Sequence, residues 1–234
     1  MEITPDNVVL WQWGAVTINA TLVWTWVVMV VLVAGSWTLT RTRADAATPS
    51  RPQHMLEAVV TLLRQQIQDV SGRPAEPLLA FTGTLFLFIF VSNVLTIVPG
   101  YHAPTSSLST TTALALCVYG AVPLFGIRQR GLRGYLRHYA EPSVLMLPLT
   151  FIGEVSRTVA LALRLFGNMM SGAVMVAMFI SLAPLFVPAV LQAFGIVVGV
   201  IQAYIFSVLA TVYIASAMRA HEATTAAAPG RTHE

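Results

Sequence analysis

The chain has 234 residues, 56% of them hydrophobic and 10% charged, with a formal net charge of +3 and a mean hydropathy of +0.73. A soluble globular domain carries about 25% charged residues, so that class is excluded. Apolar runs of roughly 20 residues or more recur along the chain, each long enough to cross a hydrocarbon core of about 30 Å.

The expected fold is all-α. It is a polytopic membrane protein with five crossings, one in-plane amphipathic helix and a long, strongly tilted C-terminal helix hairpin. All of it forms one membrane domain over 1–234. The first span covers 17–37. No short charged region precedes its apolar run, so a cleaved signal peptide is not expected. Trp11 and Trp13 at one end and Trp37 at the other are placed as interfacial anchors. The connector RTRADAATPSRP, from Arg41 to Pro52, is too polar for the membrane. In 54–71, Leu56, Val59, Val60, Leu63, Ile67 and Val70 fall at helical spacing, and Glu57, Arg64, Gln65, Gln68 and Asp69 take the other face. That pattern predicts an amphipathic helix lying on the membrane surface, ended by Gly72 and Pro74. A second span is expected at 78–98 and a third at 108–127. Between them lies the turn PGYHAPTSS, and the run SLSTTT opens the third span. A basic loop, RQRGLRGYLRH, follows. The hairpin is expected over 142–181 and 188–218, followed by a polar tail over 219–234. About 38 residues at 1.5 Å each make roughly 57 Å of helix, which an upright crossing cannot hold. A steep tilt is the reading taken. Cys117, the one cysteine, excludes an internal disulfide and is expected as a buried thiol.

All 13 basic residues are arginines. With five crossings, every connector arginine falls on one side, which the positive-inside rule makes cytoplasmic. The N-terminus is then outside and the C-terminus inside. Arg157 and Arg164 remain, both within the fourth long segment. Counted from Arg164 at helical period, Arg157, Asn168 and Ser171 share one polar stripe. In the next helix Gly195, Gly199, Phe206 and Tyr213 share a stripe with Gln202, and glycines there allow close backbone approach. A mid-membrane arginine costs at least about 2.5 kcal/mol and needs a partner. Of the 10 acidic residues, only Glu154 lies within an apolar segment, three residues before Arg157, and it matches that arginine. Arg164 is left without a carboxylate of its own chain, so its counter-charge comes from water or from another protein. A packing alternative stands beside this: Arg164 bonding carbonyls, Asn168 and Gln202, with Gln202 as helix–helix glue and Asn93 and SSLSTTT as caps.

RLFGNMMSG following EVSRTVALAL, QAYIFSVLATVY in the next helix and FVSNVLTIVPG earlier resemble subunit a of the F-type ATP synthases, the stator part of a rotary membrane motor. The resemblance covers most of the chain. It implies two ion half-channels against a rotor ring of c subunits, carrying protons or sodium and coupling their flow to ATP synthesis or hydrolysis. It implies that Arg164 is the essential charge facing the rotor carboxylate and that Gln202 is its partner. Asn168, Ser171, Asn93, Ser107, Ser109, Glu154 and Tyr213 are then expected along the ion path, with Gly167, Gly195, Gly199 and Phe206 facing the rotor. The implied partners are the c-ring, peripheral-stalk b-type subunits, other ATP synthase subunits and membrane lipids, with no nucleic acid. No metal, no cofactor and no catalytic site of its own are implied, and the location is a bacterial plasma membrane. Some departures stand out. Ala173 occupies a position commonly Glu or His in the family, Gly195 one commonly His, Glu or Gly, the acidic residue often found before the third span is replaced within SSLSTTT, and no histidine lies in a span. These resemble the divergent N-type branch and leave hydroxyls, amides and water to line the outer half-channel, with Glu154 on the cytoplasmic side of Arg164.

Two other classes compete. A stand-alone ion channel or secondary transporter needs its own paired charges or inverted repeats, and the chain has neither. An intramembrane enzyme needs histidine or paired carboxylates in the spans. His54, His102, His138, His221 and His233 all fall in connectors, at segment ends or in the tail.

Overall fold

The computed structural model describes residues 9–13, 16–41, 51–72, 74–98, 100–140, 146–179 and 186–219. The tail beyond 219, the connector at 42–50 and the hairpin turn at 180–185 lie outside the described residues. Six helices follow in order: α1 (Ala20–Arg41), α2 (Arg51–Ser71), α3 (Glu76–Val94), α4 (Leu108–Ala140), α5 (Met146–Phe179) and α6 (Phe186–Arg219). One small sheet precedes them and was not expected. Strand β1 (Val9–Trp13) pairs antiparallel with β2 (Val16–Asn19), Trp13 opposite Val16. The segments VLWQW and VTIN are rich in the β-branched and aromatic residues that suit a pleated ribbon.

Among the described residues, five helices are long and apolar enough to span a membrane: Ala20–Thr38, Glu76–Ile97, Leu108–Arg128, Phe151–Phe179 and Phe186–Met218. The exception is α2. Its Leu63 and Ile67 are buried while Arg64, Gln65, Gln68 and Asp69 are exposed, so its apolar stripe packs on α3 and α6. It ends where Gly72 takes φ 65 and its N–H reaches the Gln68 carbonyl at 2.8 Å. That left-handed geometry is cheap only without a Cβ.

The segment expected as a basic loop after Arg128 is helical instead, interrupted at Gly131 (φ 72, ψ 162). Arginine and leucine are good helix formers, and the glycine supplies the break. α5 and α6 run 34 residues each, about 50 Å at 1.5 Å per residue. Pro148 and Pro188 sit in their first turns, where a missing N–H removes no helical bond.

α6 is the hub, packed against α2, α3, α4 and α5, whereas the main contacts of α1 are with α3, β2 and the turn before α4. One apolar cluster joins Phe88 and Ile89 of α3, Leu161 and Leu165 of α5 and Phe206 of α6. A second, at the other end, joins Ile67, Leu78, Val122, Ile214 and Met218. That end gathers α2, the start of α3, the middle of α4 and the end of α6. Cys117 is exposed on the outer face of α4, not buried as expected. α4 turns that face away from its neighbours.

Candidate functional site

Two polar contacts set the register of the α5–α6 hairpin. Asn168 Nδ2 donates to Gln202 Oε1 at 2.6 Å. Three turns away, the Arg157 guanidinium lies over the Tyr213 ring, 5.7 Å from its centroid. The spacing is eleven residues in both helices, 157 to 168 and 202 to 213. Eleven residues are close to three full turns, so both contacts lie on one stripe of each helix. The counts made from Arg164 and from Gln202 thus meet each other in the folded chain.

Between those contacts stands Arg164. It is exposed, and among the described residues it has neither an ion pair nor a hydrogen bond. Leu161 and Leu165 beside it point inward and are buried, while Leu163, Gly167, Asn168 and Ser171 are on the exposed side. A Cβ added at Gly167 would meet nothing within 4 Å, so the surface beside the guanidinium is open. Ser171 Oγ donates to the Asn168 carbonyl at 3.1 Å. Gln202 is 3% exposed, and its Nε2 has no hydrogen-bond partner. Its oxygen serves Asn168 and its donor is spare. A buried, unused amide donor is costly.

Toward the α2 end of the hairpin, α4, α5 and α6 line a partly open cavity of about 30 Å³, room for about one water molecule. Its polar lining is Glu154, Arg157, Thr158, Tyr119, Tyr213 and Ser216. The expected partner of Arg157 was Glu154. Both line this cavity, and the arginine is held over the Tyr213 ring.

The opposite end is different. Asn93 is fully buried. Its Nδ2 donates to the Gly199 carbonyl at 2.8 Å, and its Oδ1 accepts from Thr105 Oγ1 at 2.8 Å. Ser107 is also fully buried, its hydroxyl 2.7 Å from that of Ser109. The Ser107 carbonyl takes the Thr111 N–H at 3.1 Å as α4 begins. These groups cap and tie elements together. Tyr101, in the turn after α3, packs edge-on against Trp24 at 4.9 Å, and burial pushes its hydroxyl above the ordinary phenol range.

Two residues expected on an outward surface are not there. Phe206 is 1% exposed inside the main core, and Gly199 faces Asn93. The reason is the rotation of α6: it turns the stripe carrying Gln202 toward its own chain. Its outward face carries Val190, Phe194, Val197, Ile201 and Tyr204. Gly195 is partly exposed, with open space around it.

Thr105 and Gln192, whose Nε2 donates to the Thr96 carbonyl at 2.7 Å, were missed by sequence reasoning. Gln192 sits at helical spacing from Gly195 and Gly199, and that was the available signal.

Comparison with known proteins agrees over nearly the whole chain. A family described as ATP synthase A chain matches residues 22–215. A protein of Acaryochloris marina called ATP synthase subunit a 2 is 55% identical over 217 residues, 93% of each chain. One of Crocosphaera subtropica, ATP synthase subunit a 1, is 54% identical over 96% of this chain and 98% of its own length. One of Albidiferax ferrireducens, ATP synthase subunit a, is 51% identical over 94% of this chain and 95% of its own.

Proposed function

Because the chain belongs to the ATP synthase A chain family, we propose that it is the membrane-sector stator subunit whose Arg164 receives the carboxylate of a passing rotor subunit. The observation that carries this is the guanidinium itself: always charged, exposed on an apolar helix, and without an ion pair or hydrogen bond among the described residues. A second protein bringing a carboxylate supplies the missing counter-charge. In this reading the chain is a multi-pass membrane protein of the bacterial plasma membrane, N-terminus outside and C-terminus cytoplasmic, with α2 in the plane of the inner surface. Its partners are the c-ring, the peripheral stalk and the other subunits of the machine. Relatives named for one subunit of that machine give the alternative of a stand-alone channel no support.

The chemistry follows from the charge. A rotor carboxylate arrives neutral, carrying its proton or sodium ion. Near Arg164 the positive charge favours the ionised carboxylate, which releases its ion to one half-channel. As the rotor moves on, the carboxylate reloads from the other. The fixed guanidinium repels a cation that would pass directly between the two. The spare Gln202 donor and the Asn168 amide polarise the same spot. On the inner side the ion leaves through the small cavity of Glu154, Tyr213 and Ser216. On the outer side Ser171 and the space beside Ala173 and Gly195 hold water against the hairpin's exposed face. Rotor contact falls on Gly167, on Gly195 and on the apolar outward face of α6, not on Phe206. Arg164→Ala, assayed for ATP-driven ion uptake in membranes with normal amounts of assembled complex, tests the reading. Uptake at the normal rate would overturn it.

A further inference from the structure

Two reciprocal hydrogen bonds join α3 to α6. Asn93 Nδ2 of α3 donates to the Gly199 carbonyl of α6 at 2.8 Å, and Gln192 Nε2 of α6 donates to the Thr96 carbonyl at the end of α3 at 2.7 Å. The helices are antiparallel, so the two pins lie at different heights along one seam. The orientation of the Asn93 amide follows from chemistry. A carbonyl can only accept, so the group facing Gly199 must be the NH₂. The Thr105 hydroxyl then donates to Oδ1 at 2.8 Å. Held at both ends and fully buried, this amide cannot swing toward a hydrated path.

The seam is also sterically keyed. A Cβ at position 199 would lie 2.8 Å from Asn93 Cβ, closer than carbon atoms approach. The two backbones come together only because residue 199 has no side chain. One turn beyond Gly199 is Gln202, whose oxygen takes the Asn168 amide at 2.6 Å. Successive residues of a helix are about 100° apart around its axis. A rotation of α6 by even a fraction of that would carry the Gln202 amide off Asn168.

We infer that Asn93 is a positioning residue. With Gly199 it pins the rotation and height of α6, so that Gln202 meets Asn168 beside Arg164, and Asn93 does not itself line the ion path. This rests on the reading of the Gln202–Asn168 pair given above. The test uses the whole complex in membranes carrying Asn93→Ala, Gln202→Ala or both, with ATP-driven ion uptake measured per assembled complex. Asn93→Ala should lower uptake about tenfold, the scale of one buried hydrogen bond lost. In the Gln202→Ala background it should add less than about twofold, because both changes act through one contact. Asn93→Leu, similar in size without any donor, should behave as Asn93→Ala. Multiplying effects in the double variant would overturn the inference and leave the Gln202 reading standing. Normal uptake by Gln202→Ala would instead overturn that reading, and the positioning role with it.

Two further variants keep the test open if Asn93→Ala does not assemble. Gly199→Ala should lose uptake through the collision with residue 93, and adding Asn93→Gly should restore part of it. No gain on adding Asn93→Gly would overturn the inference. Asn93→Cys should resist a water-soluble thiol reagent from either side of the membrane, and ready labelling would show a path residue instead.

Discussion

The two seams of α6 use similar side chains to opposite ends. Against α3, every polar atom of the Asn93 amide group is matched: the donor to Gly199, the oxygen to Thr105. Against α5, Gln202 matches only its oxygen and leaves Nε2 spare in a buried position, and Arg164 nearby has no ion pair or hydrogen bond among the described residues. A closed amide network over-determines one geometry and rigidifies it. The seam against α5 is left open. The proposed function puts the working surface on that open seam and the scaffold on the closed one.

The contrast breaks most sharply at Arg164. Replacement by alanine should lower coupled ion uptake by about two orders of magnitude or more, the scale of removing a preorganised charge from a reacting site, with the complex still assembled. Arg164→Lys should fail as well, because a compact ammonium does not reproduce the planar fork. An assembly defect with no loss of turnover per complex would move Arg164 to the scaffold side.

Thiol labelling is expected to give the next largest effect. Cysteines at 171 and 173 lie on the exposed side of α5 and should react with a water-soluble reagent added from outside, blocking turnover. A cysteine at 107 replaces a fully buried serine and should stay unreactive. Equal labelling at 107 and 171 would erase the distinction between the closed packing near the outer turn and the open face of α5.

Thr105→Val should leave the Asn93 oxygen unmatched and affect stability more than turnover. Hydrogen bonds between membrane helices contribute about 0.6–2 kcal/mol, visible as a lower unfolding midpoint in detergent. A loss of turnover at unchanged stability would place Thr105 on the working side. The smallest change is expected from Tyr213→Leu, which removes the ring under Arg157. An exposed cation–π contact contributes about 0.5–1 kcal/mol, so stability should shift by that much or less.

The polar line through Arg164 was legible before folding because its physics is local. A guanidinium seven residues from Arg157 and four from Asn168 shares their face in any α-helix. Counting carboxylates left Arg164 without one. The period placed these residues on one stripe of each helix, but the pairing of the stripes, Asn168 to Gln202 and Arg157 to Tyr213, came only with the fold. The differences have two causes. Phe206 and Gly199 lie on the Gln202 stripe, and the reading turned that stripe outward. Asn93 and Ser107 read as path residues because they are polar and near the outer turn, yet they are closed into the packing.

The sequence by itself determined the class of molecule, its five apolar helices, the amphipathic α2 and the polar line through Arg164. Each depends on composition or on residues close in the chain, where covalent geometry sets spacing. Only the tertiary structure decided which face of each helix looks inward. α6 is apolar nearly all round, so no stripe of its own specifies its rotation. That angle was settled by contacts distant in sequence: Asn93 meeting Gly199 where a Cβ would collide, and Gln192 reaching Thr96. The free face of α5 is what remained after those contacts closed.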